Sequence, residues 1–226
     1  MLEPEHETDT LARIGRDTPL YLRRAEADGG PLRHTLEAFI RQRFADEHQA
    51  RIRHFLPCLL GLLDERGVVQ GAVGLRPARQ PLFLERYLDA PLEGEIARRH
   101  ARQVPRDAIV EVGNLAATGA ASARLLIVAL TDLLISEGFQ WVAFTGTREL
   151  LNSFQRLGLA PLPLGEADPA RLGAEREDWG SYYASRPQVM VGEILPGHRQ
   201  LLQLGVYARL GHQPLYHGGL AHAVGC

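Results

Sequence analysis

The stretch IVEVGNLAATGAASARLLIVAL, residues 109–130, limits what this chain can fold into more than any other. It opens with a β-branched run that reads as a core strand over 108–117. Small residues at 118–122 follow as a turn. Residues 122–137 then carry apolar side chains almost all the way round a helix, with Ser122 as the expected N-cap and Gly138 as the C′ residue. A helix that is apolar on every side has to be buried, so this unit belongs at the centre of an α/β domain. Yet Glu111 and Asn114 stand inside the strand, where burial without partners is costly.

The flanking segments set the architecture. Residues 1–17 read as a flexible charged leader. PLYLRRA (19–25) is a first strand, DGG (28–30) a turn, and residues 31–50 an amphipathic helix. The segment 54–77 predicts a hairpin around DERG. LFLERYLDAP and a helical LEGEIARRHAR lead to the central unit. A strand over 139–146, a helix over 147–158 closed by Gly158, a Pro/Gly-rich loop at 160–180 and a strand over 188–194 complete it. The pattern predicts one α/β (α+β) domain, 18–195, with a mixed sheet. Residues 196–226 follow as a C-terminal helix and a Gly/His tail.

Composition excludes several functions. All 25 basic residues are arginine, which rules out a Schiff-base lysine and a Walker-type phosphate lysine. A net charge of −2 with no basic block makes nucleic acid an unexpected partner. No run approaches the roughly 20 apolar residues of a membrane span, and the N-terminus shows no apolar signal core. Cys58 and Cys226 form neither a disulfide framework nor a metal pattern, so a cytoplasmic location is expected. His198, His212, His217 and His222 lack metal-ligand spacing, and no metal is expected.

The central unit carries the chemistry. Gly119, Ala120, Ala121 and Ser122 feed a helix N-terminus whose backbone N–H groups are open to a phosphate or a phosphopantetheine arm. The same small residues would also suit plain close packing. A bulge at Gly113 would bring Glu111 and Asn114 together and free N–H groups to polarise a carbonyl. The pair then reads either as a base beside a carbonyl site or as an internally satisfied polar pair. Glu85 and Asp89 are candidates to hold an amine, and Arg43 to pair with Glu111 or Glu85. Trp179, Tyr182 and Tyr183 are candidates for a tunnel wall or for packing.

Three segments resemble the GCN5-related N-acetyltransferase fold. EVGNLAATGAASARLL falls where that family has its central strand, pyrophosphate loop and helix. WVAFTG falls where its next strand splays away, and NSFQRLGL on its asparagine-containing helix. FIRQRFADEHQARI and VEVGNLA resemble the acyl-homoserine-lactone synthase branch, with Asn114 in place of an arginine. Over about 20–195, VEVGNLA, PLFLERYLDAP, FTGTRELLNSFQRLGL and WGSYY resemble the thermostable haemolysin family.

The resemblance implies a mostly antiparallel central sheet with splayed central strands and flanking helices. It also implies an N-acyltransferase moving an acyl group from acyl-CoA or acyl-phosphopantetheine to a small amine or amino-acid-like acceptor. Glu111 and Asn114 would be catalytic. Leu115, Gly119, Ala121, Ser122, Ala123, Thr145, Gly146 and Asn152 would hold the donor, and Arg43, Phe44, Glu85 and Asp89 the acceptor. Ala116 replaces the usual Gln/Arg of the pyrophosphate loop, which suits an acyl-carrier-protein donor better than tight coenzyme A binding. Phe154 stands where many relatives have a tyrosine that protonates the thiolate. The other readings are an inactive lipid- or carrier-binding module and a membrane-active haemolysin.

Overall fold

The computed structural model describes residues 10–26, 29–101 and 103–216. Nine strands form one sheet: β1 (Thr10–Ile14), β2 (Leu20–Arg24), β3 (Cys58–Leu63), β4 (Val69–Pro77), β5 (Ile109–Ala117), β6 (Trp141–Gly146), β7 (Leu162–Glu166), β8 (Gln188–Glu193) and β9 (Gln213–Pro214). Their order is β7-β8-β6-β5-β4-β3-β2-β1-β9. Only β5 and β6 run parallel. The sheet is the mixed, mostly antiparallel one expected, flanked by helices.

Both faces of the sheet are covered, which is why β3 is buried at every position. On one face lie α3 (Ala120–Ser136), α4 (Arg148–Arg156), α5 (Ile194–Gln203) and α6 (Val206–Arg209). Residues Leu126–Leu130 of α3 are all buried, because the sheet covers one side of the helix and α5 packs on another. Burying each Leu or Ile there contributes roughly 1.5–3 kcal/mol. On the opposite face lie α1 (Pro31–His48) and α2 (Leu92–His100), with 3₁₀ turns at Leu84–Tyr87, Pro169–Trp179 and Tyr182–Ser185. Among the described residues no helix is long and apolar enough to cross a membrane.

Several boundaries differ from expectation. Residues 10–14, read as leader, are strand β1, with Ala12 and Ile14 fully buried. Alternate apolar residues reach the core there although the surrounding segment is charged. Residues 1–9 and the tail 217–226, which carries His217, His222 and Cys226, lie outside the described residues. Helix α3 begins at Ala120, with Gly119 as N-cap in place of Ser122. Ser122 Oγ instead meets Thr118 Oγ1 at 3.1 Å. Gly138 has φ +83°, as a C′ residue should. The loop expected at 160–180 contains the edge strand β7, where Pro163 needs no ladder N–H. The C-terminal helix starts at Ile194 and breaks at Gly205, whose φ is +62°.

Candidate active site

Strand β5 pairs with β6 only from Ile109↔Trp141 to Val112↔Phe144. Beyond that point β5 continues to Ala117 and β6 to Gly146 without pairing, so the two strands splay. A cavity of about 990 Å³ occupies this part of the molecule. One end is mainly aliphatic, lined by Ile127, Leu130, Leu134 and Leu159, with Phe144 beside them. The other is aromatic, lined by Phe44, Phe83, Tyr87, Trp179, Tyr182 and Tyr183.

A bulge shapes the floor. Ala72 pairs with Ala116 and Gly74 with Gly113, so Asn114 and Leu115 together oppose Val73. The bulge is therefore at Asn114–Leu115, not at Gly113. Asn114 has φ +51°, a left-handed conformation that asparagine tolerates better than most residues. Its Oδ1 accepts from Leu56 N–H at 2.8 Å and its Nδ2 donates to His54 C=O at 3.3 Å. The side chain thus acts as a short strand that ties segment 51–56 over the cavity. Gly74 and Gly113 make room for this. A Cβ at Gly74 would stand 2.7 Å from the Leu56 Cβ, and one at Gly113 would stand 3.0 Å from its Cδ1.

Glu111 is 4% exposed and also lines the cavity. Its Oε2 accepts from Phe83 N–H at 3.0 Å and its Oε1 from Leu84 N–H at 2.9 Å. Arg76, directly opposite on β4, brings Nη1 to 3.9 Å of Oε2. Burial raises the Glu111 pKa, and the two N–H bonds and Arg76 only partly offset this. Each oxygen keeps a second lone pair, so the carboxylate can still take a proton. The bulge does not bring Glu111 and Asn114 together; they anchor different segments.

The remaining residues singled out from the sequence divide clearly. Arg43, Phe44, Leu115, Gly119, Ala123 and Thr145 line the cavity with Glu111 and Asn114. Ala121, Ser122, Gly146, Asn152, Glu85 and Asp89 are outside its lining. Gly146 packs against Leu151, Met190 and Phe144, each 3.2 Å from the position of a Cβ. Asn152 is on the outward side of α4, while Leu150, Ser153 and Phe154 reach the cavity. Glu85 binds Arg106 through both oxygens, at 2.7 and 2.8 Å, and accepts from Leu92 N–H. Asp89 is exposed and pairs with Arg171. Arg43 pairs with Glu47, one helical turn on, rather than with Glu111 or Glu85. Trp179, Tyr182 and Tyr183 do line the cavity, and the hydroxyls of Tyr87 and Tyr183 meet at 2.5 Å.

Arg76, Phe83, Tyr87, Ser153 and the segment 51–56 were not singled out from the sequence. Arg76 carried one usable signal, the single charged residue of a mostly apolar strand. The others are brought in by chain crossings. Among the described residues no group of three or more His, Cys, Asp or Glu is placed to hold a metal.

The family described as thermostable hemolysin matches residues 27–198. No curated protein matches the sequence. Similar solved structures include FeeM, an N-acyl amino acid synthase from uncultured soil microbes, at 12% identity and TM-score 0.56 over 83% of this chain and 97% of that one. The CoA-dependent acyl-homoserine lactone synthase BjaI, with SAM and isopentyl-CoA, gives 18% and 0.55 over 88% and 90%. The synthase LasI gives 12% and 0.54 over 78% and 91%. At these identities the likeness establishes a shared fold.

Proposed function

The chain belongs to the thermostable hemolysin family, and on that footing we propose that it is an N-acyltransferase drawing on an acyl thioester. One observation carries the reading: β5 and β6 part beside a buried carboxylate, above a cavity with one aliphatic and one aromatic end. The names of the similar structures, acyl-homoserine lactone and N-acyl amino acid synthases, support it.

The thioester lies in the splay, with its acyl chain along the aliphatic end and its arm toward Thr145 and Gly119. A backbone N–H at the Asn114–Leu115 bulge polarises the carbonyl. The acceptor ammonium first gives one proton to Glu111, directly or through water. Its nitrogen then attacks the carbonyl carbon, the C–N bond forms, and the C–S bond breaks. The second nitrogen proton ends on the departing sulfur, so the products are an amide and a free thiol. Phe154 stacks on Phe144 at 4.9 Å and has no proton to give. A water molecule therefore relays that nitrogen proton to the sulfur. Acyl-CoA and acyl-carrier protein are both compatible donors.

Thiol release from acyl-CoAs and acyl-carrier proteins of graded length, with and without an amine pool, tests this reading. Amine-dependent release is expected, reduced about 10²–10⁴-fold in Glu111→Ala. Wild-type rates in that variant would overturn the role of Glu111. A second reading, a binding module, draws on the double N–H clamp already on Glu111. Bound thioester with no release under any condition would favour it. Leakage of lipid vesicles by the pure protein without substrate would favour a membrane-active role.

A further inference from the structure

We propose that the acceptor is an α-amino acid with a bulky apolar or aromatic side chain, held through its carboxylate by Arg76. This rests on the acyltransferase reading and specifies its acceptor. Arg76 and Glu111 face each other across β4 and β5, and both line the cavity. A cation and an anion side by side on one floor complement a zwitterion: the ammonium meets Glu111 and the carboxylate meets the guanidinium.

Arg76 has donors to spare. Besides Glu111, Arg76 has one described acceptor, the Pro81 C=O, at a long 3.3 Å. A carboxylate docked on the guanidinium supplies acceptors for its remaining N–H groups. The other charged groups at this end already have ion-pair partners, Arg43 with Glu47 among them. Arg51 and Arg53 share Asp178 at 3.7 and 3.0 Å, and Glu175 pairs with Arg86 at 2.7 Å.

The wall beside Glu111 is aromatic. Phe44 meets Trp179 at 6.3 Å between ring centroids, and Trp179 meets Phe83 at 5.9 Å. Phe83 in turn donates its N–H to Glu111. Such rings receive a flat or bulky apolar side chain, and their faces attract an ammonium. A simple alkylamine would leave the guanidinium donors unpaired, and a small amino acid would leave the aromatic wall uncovered.

Calorimetric titration of L-phenylalanine, phenethylamine and L-alanine into the full chain, without donor, tests this. L-phenylalanine is expected to bind at least about tenfold more tightly than either of the others. The preference over phenethylamine should vanish in R76Q. Thermal melts would verify that the variant is folded, and R76K, which keeps the cation but loses the planar fork, should retain part of the preference. Equal binding of L-phenylalanine and phenethylamine, no binding of any of the three, or an R76Q protein that keeps the preference would each overturn the proposal. L-phenylalanine preference without thiol release from any donor would uphold the acceptor and sink the acyltransferase reading. Thiol release with phenethylamine as fast as with L-phenylalanine would do the reverse.

Discussion

From Ile109 to Val112, β5 lies between β4 and β6 and every residue is buried; from Gly113 to Ala117 it keeps β4, loses β6, and only Ala116 is buried. The first half is held by ladder bonds and core packing on both faces. The second half has an open edge, and a bulge turns its backbone. The rigid half fixes the geometry of the open half. Because β6 is locked in register as far as Phe144, its departure from β5 makes a wedge of fixed position. The backbone groups freed by that departure face a cavity rather than a dry core, where they would be costly.

The largest effects should separate the two halves by stability. Ile109→Ala is expected to cost about 2–5 kcal/mol, against about 1 kcal/mol or less for Leu115→Ala. Urea denaturation of the two variants checks this, and equal costs would erase the distinction.

Next comes the hinge residue. Asn114→Ala loses both bonds to segment 51–56 and puts a Cβ without the asparagine amide in the left-handed region, for about 1–3 kcal/mol. Asn114→Gly keeps the backbone freedom and should cost less. Amide exchange at residues 54–56 should accelerate in both variants. Unchanged exchange would mean that Asn114 does not hold the segment.

The smallest effects are in pH dependence, where two carboxylates should behave oppositely. Glu111 has its pKa raised above the ordinary 4.5 by burial, so the folded chain binds that proton more tightly than the unfolded one. Its contribution to stability therefore falls as pH rises from about the ordinary value through the raised one. Burial also pushes Asp132 upward, but His212 Nε2 at 2.8 Å and the Tyr216 hydroxyl outweigh it and hold it below the ordinary 3.8. Its stabilising contribution is complete above that value and is lost as pH falls through the depressed pKa. Glu111→Gln should remove the first slope and Asp132→Asn the second, in melting temperatures recorded across pH. The acid limb of the transfer rate should likewise lie above that of an ordinary carboxylate. A limb at the ordinary value would remove Glu111 as the base.

Much of the fold was legible because local rules and burial agree. Pro31 starts α1, Thr147 caps α4 through its Oγ1, and the two-sided apolar run of β3 matches a strand covered on both faces. The peripheral strands β1 and β7 were missed, since a charged context and prolines hide five-residue strands that only a neighbour stabilises. At the site, Glu111 and Asn114 were found as polar residues in a core strand. Their partners Phe83, Leu84, His54 and Leu56 lie 28, 27, 60 and 58 residues away in sequence. No spacing rule links positions so far apart.

The amino-acid order by itself determined that a buried helix follows a core strand through a turn of small residues, because periodicity and side-chain volume act over a few residues. Tertiary structure alone decided that Arg76 faces Glu111, that Glu85 is occupied by Arg106, and that Arg43 keeps a buried Nε beside an aromatic wall. Strand register and loop crossings set those pairs. They minimise the cost of burying charge across the whole sheet, and that balance is not written in any one segment.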